Sequence, residues 1–338
     1  MTEPAPPFAK LSVLSGLWQG IWPKKPTFLP DQYPDLSGIS AIVTGANTGI
    51  GYEVAKLLYG KNCDVIAVVR SELKGKEARE KILSEVNGSG GSIEVISGCD
   101  FLDLSTVKPA AEKIKAVLGD RPLGIIIHNA GLMAPNSNGT SKQGFEAMFS
   151  VNVLGPQLLQ HFLDPLFLKK DAAIKRIVWV SSAAHLYGFK EYGINWDNPT
   201  FRDVPVNRRP HHQTLYGQSK AANVLQANAW AVKNQKAVDE ISCVSVSCFP
   251  GVLYTQLVRD WGFLANKLMP LLTYGGVYGA YTELYSALSP DLTRKDQGAY
   301  TIPFGQIGEP RADIKAGMRN GSDLKLWDIA EDIISDYF

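Results

Sequence analysis

The amino-acid sequence predicts a single doubly wound α/β domain, a parallel sheet with helices on both faces. Three features predict it. From Ser40 onward, short runs rich in Val and Ile alternate with amphipathic stretches; the runs are apolar at successive positions, as strands covered on both faces must be; and residues 38–305 contain no linker and no internal repeat. Strands are expected at 41–43, 65–69, 93–96, 125–127, 177–180 and 244–249, each bounded by Gly, Asn or Ser. Helices are expected between them at 49–59, 74–86, 104–118, 144–168 and 216–234. Parallel neighbours then require right-handed crossovers.

Composition narrows the function classes. The chain has 338 residues, 45% of them hydrophobic, so it can bury a large core and is not a disordered segment. Lys and Arg total 34 against 33 acids, a net charge of +1, which offers no electrostatic footprint for nucleic acid. Four cysteines without a CxxC pair and five histidines without HExxH spacing argue for a reducing compartment and no metal site. No apolar run reaches the ~20 residues needed to span a bilayer, and the first residues, MTEPAPPFAK, do not resemble a secretory signal, so a cytoplasmic location is expected.

Residues 1–36 differ from the rest, with prolines at 4, 6, 7, 23, 26, 30 and 34 around an apolar patch at 11–22. That patch is three helical turns long, with Leu14, Leu17, Trp18 and Ile21 on one face. It is expected to pack on the body of the protein; the other reading, a membrane-surface or dimer contact, lacks basic residues on the opposite face. The remainder, 37–338, forms one domain, with an insertion at 183–215 and a substrate loop region at 253–288 that includes Tyr254, Trp261 and Tyr274.

Chemistry concentrates at three places. After the first strand comes TGANTGIG, residues 44–51, whose bare Gly45, Gly49 and Gly51 would let a diphosphate approach N–H groups at a helix N-terminus. Tyr216 and Lys220 are spaced to share a helix face, where an ammonium near a phenol favours phenolate and makes Tyr216 a candidate acid/base. Ser181 and Ser182 end an apolar strand at its carboxyl end, where open α/β sheets bind ligands. The second strand ends in Ala67-Val68-Val69-Arg70-Ser71, with none of the acids that an NAD enzyme needs there for the ribose 2′-hydroxyl, while Arg70 and Ser71 can both donate. A guanidinium matches a 2′-phosphate, so NADP(H) is the expected cofactor.

These motifs together resemble the short-chain dehydrogenase/reductases over residues 38–305. The resemblance rests on TGANTGIG, Cys99-Asp100-Phe101, HNAG at 128–131, Asn152 within Val-Asn-Val, Ser182, Tyr216 with Lys220, and Pro250-Gly251 followed by Thr255. It looks most like the retinol-dehydrogenase-like and WW-domain-oxidoreductase-like branch, on PDLSG at 34–38 and VSSAAH at 180–185. The resemblance implies a Rossmann-type sheet and specific roles. Tyr216 would exchange the proton, Lys220 would bind the nicotinamide ribose and tune Tyr216, Ser182 would hold the substrate oxygen, and Asn152 would support a water relaying protons to Lys220. Gly45, Asn47, Thr48, Gly49, Ile50 and Gly51 would bind the diphosphate. Asp100 would meet the adenine, with Phe101 also in the cofactor site, Asn129, Ala130 and Gly131 would pass behind the adenine ribose, and Pro250, Gly251, Val252 and Thr255 would contact the nicotinamide end. Family members often dimerise through helices like 144–168 and 216–234, so the chain is expected as a monomer or homodimer.

Two departures stand out. His128 replaces the commoner first Asn of NNAG, read as a tolerated strand-end change, and the stretch from Ser182 to Tyr216 is longer than the family norm. His185 is a candidate pocket residue and His211 and His212 solvated loop residues. The function implied is an NADPH-dependent carbonyl reductase or alcohol dehydrogenase acting on an apolar ketone or aldehyde. A dinucleotide-sensing regulatory protein on the same fold is the alternative, and the four residues Asn152, Ser182, Tyr216 and Lys220 kept together argue for the enzyme.

Overall fold

The structure, a computed structural model, describes residues 20, 22–133, 139–252 and 274–338. Its strands and helices run in the order β1 (Ser40–Thr44), α1 (Gly49–Tyr59), β2 (Asp64–Val68), α2 (Glu72–Glu85), β3 (Ile93–Ile96), α3 (Val107–Leu118), β4 (Leu123–His128), α4 (Gly155–Phe167), β5 (Arg176–Val180), α5 (His212–Lys233), α6 (Gln235–Glu240), β6 (Val244–Cys248), α7 (Gly276–Leu288), β7 (Tyr300–Ile302), β8 (Gln306–Gly308), α8 (Ala312–Asn320) and α9 (Ser322–Ile334). The eight strands lie side by side in the order β3-β2-β1-β4-β5-β6-β7-β8. All neighbours are parallel except β7 and β8. The sheet order reverses between β1 and β4, which opens a crevice at their carboxyl ends.

Alternate residues of each strand feed two separate cores. Ile42, Ile66, Ile126, Ile177 and Trp179 pack under α3, α4 and α5 with Ile114, Leu159 and Trp230. Ala41, Val43, Val65, Ile127 and Val178 pack under α1, α2 and α7 with Val54, Leu58 and Leu284. Burial on both faces is why these strands read as continuous apolar runs in the sequence.

The structure adds detail that the periodicity does not carry. The helix expected at 144–168 is a short turn, Ala147–Phe149, then a π turn, Ser150–Leu154, then α4. α5 begins at His212 rather than 216, because the His211 ring accepts from the Gln213 N–H and caps it. Within the expected substrate loop region, 276–288 is the helix α7, whose Ala280, Leu284 and Ala287 are buried. Residues 253–273, with Thr255, lie outside the described residues. So does most of the apolar patch of the N-terminal segment. Gly20 is described, and a Cβ there would fall 2.6 Å from the Phe249 ring and 3.2 Å from Val252. Gly20 therefore lies beside the residues that follow β6, and Tyr33 and Leu36 are buried in the core. No helix among the described residues is long and apolar enough to cross a membrane.

His128 has a larger role than a tolerated end change. Its buried ring lies 4.5 Å from the Trp179 ring, and its Nε2–H donates to Gln160 Oε1 at 2.9 Å. Gln160 donates on to Asp164, which also accepts from the Trp230 indole. The other ring nitrogen, Nδ1, is buried without a hydrogen-bond partner. Burial therefore holds His128 neutral, with its pKa down at about 4. Below the ordinary histidine pKa the unfolded chain takes up a proton that the folded chain refuses, so this stability is present above pH ~6.5 and lost as pH falls through 4. A His128→Asn variant removes this titration. Its unfolding free energy relative to the parent should improve by about 3 kcal/mol between pH 7 and pH 4, measured by urea denaturation at both pH values. An unchanged difference would mean His128 is protonated in the fold.

Candidate active site

The crevice is built from strand ends. The Gly45 N–H donates to Val68 O at 2.8 Å, the Asn129 amide donates to Thr44 O at 2.7 Å, and the Ala130 N–H to Thr44 Oγ1 at 2.9 Å. These bonds stitch the ends of β1, β2 and β4 together. Gly45 and Gly49 have φ of +71° and +60°, a region that side chains rarely adopt. A Cβ at Gly51 would stand 2.4 Å from Asn129 Nδ2 and 2.6 Å from Gly45 O, so only glycine lets α1 start so close to β4. At Gly49 a Cβ would meet nothing within 4 Å, and Thr48, the residue before α1, makes no side-chain cap to it. An open helix N-terminus with uncapped N–H groups fits a dinucleotide diphosphate.

Around this turn Asn47 and Ile50 are half-buried and Thr48 is exposed. Arg70 is exposed just past β2, beside the buried Val69. Ser71 instead starts α2, its hydroxyl accepting from the Lys74 N–H. Asp100 uses Oδ1 to accept from Leu102 N–H. The Phe101 side chain does not face the crevice: its ring lies against Gly155, where a Cβ would come within 2.3 Å, and its carbonyl accepts from Ser150. Phe101 thus anchors the loop and is not placed for a side-chain contact with adenine.

The four expected reacting residues converge. Ser182 lies near enough to the Tyr216 phenol to lower its pKa, and the Lys220 ammonium stands 5.7 Å from the centre of the Tyr216 ring. Lys220 donates to Val180 O at 2.8 Å and to Asn223 Oδ1 at 3.3 Å. Asn152 sits in the π turn, where its side chain accepts from Leu132 N–H at 2.7 Å and donates to Ser219 Oγ at 2.9 Å. Its carbonyl accepts from Asn223 Nδ2 at 2.7 Å. The Asn223 side chain therefore links the Lys220 ammonium to the Asn152 carbonyl.

Burial dominates the electrostatics. It pushes the Tyr216 phenol up to about 12, against the pull of nearby Ser182, and lowers the Lys220 ammonium to about 8, against the pull of the neighbouring Glu283 carboxyl. The ammonium was expected to draw the phenol down; in the dry site desolvation outweighs that pull. Tyr216 is consequently a neutral phenol at neutral pH.

Pro250, Gly251 and Val252 follow β6 into the same crevice, and Pro250 O accepts from Thr282 of α7 at 3.4 Å. Among the described residues, no group of three His, Cys, Asp or Glu side chains is arranged to hold a metal ion. His185 is buried and takes no part in a pocket surface. Its Nε2 accepts from the Arg311 backbone N–H at 3.1 Å, so Nδ1 carries the proton and donates to Ser182 O at 2.7 Å.

A family model of the short chain dehydrogenases matches residues 40–194. The short-chain dehydrogenase/reductase bet4 of Neocamarosporium betae is 35% identical over 98% of this chain and 96% of its own length. The chain is a short-chain dehydrogenase/reductase. Another member, sthC of Phaeosphaeria nodorum, is 34% identical over 87% of this chain and 93% of its own. Among solved structures, a protein from Mycobacterium Paratuberculosis aligns with TM-score 0.67 at 27% identity, covering 90% of this chain and 97% of that one. A Burkholderia cenocepacia short chain dehydrogenase in complex with NADP shares the fold, with TM-score 0.59 at 20% identity over 80% of this chain and 98% of that one.

In this dehydrogenase/reductase three site residues escape motif reading. Asn223 lies three positions after Lys220 on one helix face, a spacing visible in the sequence. Glu283 is buried on α7 with neither carboxyl oxygen hydrogen-bonded among the described residues, and burial lifts it to about 8. Its signal is a lone acid between Ala280, Leu284 and Ala287 on an apolar face. Arg311 pairs with Asp313 at 2.6 and 2.7 Å and donates to the carbonyls of Leu186 and Gly188, clamping the loop after Ser182. Nothing local in the sequence links residues 186 and 311. For the turn itself, Gly51→Ala should weaken dinucleotide binding by roughly 10- to 100-fold, because α1 must retreat from Asn129 and Gly45. Fluorescence titration with NADPH and NADH measures it, and parent-like affinity would remove the close approach from the binding site.

Proposed function

We propose that the protein is an NADPH-dependent carbonyl reductase or alcohol dehydrogenase that acts on an apolar ketone or aldehyde. The observation that carries this reading is the half-buried, neutral Tyr216 phenol near Ser182 and beside the Lys220 ammonium. When bound, the dinucleotide supplies or takes up a hydride at its nicotinamide ring. The protein's part is to hold the carbonyl oxygen with the Ser182 and Tyr216 hydroxyls and to give it the Tyr216 proton as charge builds there. A phenol is the form that donates, which favours the reducing direction at neutral pH. Lys220 has its ammonium placed for a ribose hydroxyl while Val180 O and Asn223 hold it from behind.

The side chains around Tyr216 support an apolar substrate: Leu132, Met148, Phe189, Phe201, Val204 and Leu215 form one cluster with it. NADPH preference is supported by the exposed Arg70 and by the absence of an acid at Val69. We also infer a monomer, because α9 packs across α4 and α5 and covers helices of the kind through which the family pairs, with Gln157 donating to Trp327 O at 3.0 Å. Sedimentation as a dimer at micromolar concentration would overturn that.

Tyr216→Phe should keep NADPH affinity and lose at least ~10²-fold in turnover across a panel of aldehydes, ketones, retinoids and steroids. Parent-like rates would remove Tyr216 from the chemistry. Dinucleotide binding with no turnover of any panel member by the parent protein would instead favour a sensor. Arg70→Ala should weaken NADPH by about 10- to 150-fold and leave NADH nearly unchanged. Equal losses for the two cofactors would mean Arg70 does not read the phosphate. Carbonyl reduction should decline as pH rises past about 8, where Lys220 loses its charge.

A further inference from the structure

The bridge from Lys220 to Asn223 does not stop at Asn152. Asn223 Nδ2 also donates to Gln226 Oε1 at 3.1 Å, Gln226 Nε2 donates to Gln157 Oε1 at 3.0 Å, and Gln157 Nε2 donates to Glu331 Oε2 at 3.0 Å. Asn223, Gln226 and Gln157 are all buried, whereas Glu331 on α9 is partly exposed and lies 3.4 Å from His161. Three amides thus connect the Lys220 ammonium to a carboxylate at the protein surface.

The direction of the chain is fixed. Each amide nitrogen also donates to a backbone carbonyl: Asn223 to Asn152 O at 2.7 Å, Gln226 to Val153 O at 3.2 Å, and Gln157 to Trp327 O at 3.0 Å. A carbonyl only accepts, so each NH₂ must face its carbonyl and each amide oxygen must point back toward Lys220. The first two of these carbonyls belong to the π turn Ser150–Leu154, and the Asn152 carbonyl has no α-helical donor four residues on, because position 156 is Pro. All three side-chain dipoles therefore align, oxygen toward the cation and N–H toward the anion. Hydrogen bonds in such a chain polarise one another.

We propose that Asn223, Gln226 and Gln157, terminated by Glu331, are positioning residues that keep Lys220 charged and aimed at the reacting centre. The proposal rests on the reductase reading for what Lys220 does, and on the geometry alone for what holds it. A buried ammonium needs oriented acceptors to remain an ammonium. If Asn223 turned over, its NH₂ would face Lys220 and repel it, and the ladder is what forbids that turn. The other titratable groups facing Lys220 are Tyr216 on its own helix, Cys248 at the end of β6 and Glu283 on α7; those facing Glu331 are His161 and Asp164.

The test reads the lysine directly. Lysines are labelled with ¹³C at Cε in the full chain, the Lys220 resonance is identified by its loss in Lys220→Met, and its titration is followed without substrate or dinucleotide. Gln226→Met, close in shape but without hydrogen bonds, should lower the Lys220 midpoint by about one pH unit. Glu331→Gln, at the exposed end where folding is not at stake, should lower it by less. Carbonyl-reduction kcat should fall about tenfold in Gln226→Met, with its high-pH limb moving by the same amount as the NMR midpoint and NADPH affinity at neutral pH retained. Midpoints that coincide with the parent's in both variants would overturn the ladder, whatever the activity. A parent protein that turns over no carbonyl would overturn the reductase reading, and the NMR titration would still judge the ladder.

Discussion

A lysine ammonium buried at the carboxyl end of β5 is the constraint around which the rest of the site is arranged. Lys220 has given up water, and its charge survives only through acceptors fixed before any ligand arrives. One is the Val180 carbonyl, which is available because β5 ends there. The other is Asn223, one turn along the same helix. Both depend on the parallel sheet bringing β5 under α5, and the register that pairs Val180 with Cys248 sets the height at which the ammonium sits. The same dryness that depresses Lys220 raises Tyr216, so the two groups present an ammonium and a phenol together across the neutral range. That pairing is a proton donor held next to a fixed positive charge, the combination a carbonyl oxygen gaining negative charge requires.

The π turn before α4 serves two ends at once. It lets Asn152 brace Leu132 from both its amide atoms. The break also presents the Asn152 carbonyl, which has only Pro156 four residues on and so no helical donor, to Asn223, and the Val153 carbonyl to Gln226. It also starts α4 at Gly155, against which the Phe101 ring packs, so the loop after β3 is seated by the same break.

The sheet was readable in the sequence because strands buried on both faces leave uninterrupted apolar runs rich in Val and Ile, as in residues 65–68 and 125–127. Tyr216 and Lys220 stood out by their spacing on one helix face and Ser181-Ser182 by the strand end, whereas Asn152 and the choice of Ser182 came only through the family resemblance. The last two strands were not, since three residues carry too little periodicity to register. Neither was the ladder. Gln157, Gln226 and Glu331 lie far apart in the chain, and a glutamine on a helix reads as a solvated face unless its burial is known.

The C-terminal pair of helices shows how remote segments become part of such a site. α8 begins at Arg311, whose guanidinium binds the carbonyls of the loop after Ser182 and whose N–H fixes the His185 tautomer. α9 follows after Gly321, whose φ of +86° permits the reversal, and lays Trp327 and Glu331 along α4 and α5. One helix thus restrains the serine side of the reacting centre and the other the lysine side. The chain's last helices, not the motifs of its first half, hold the two sides in register. Replacing the dinucleotide-binding half with that of a relative would therefore leave the reacting geometry intact only if the donor's fourth helix kept both the π turn and a glutamine at the position of Gln157.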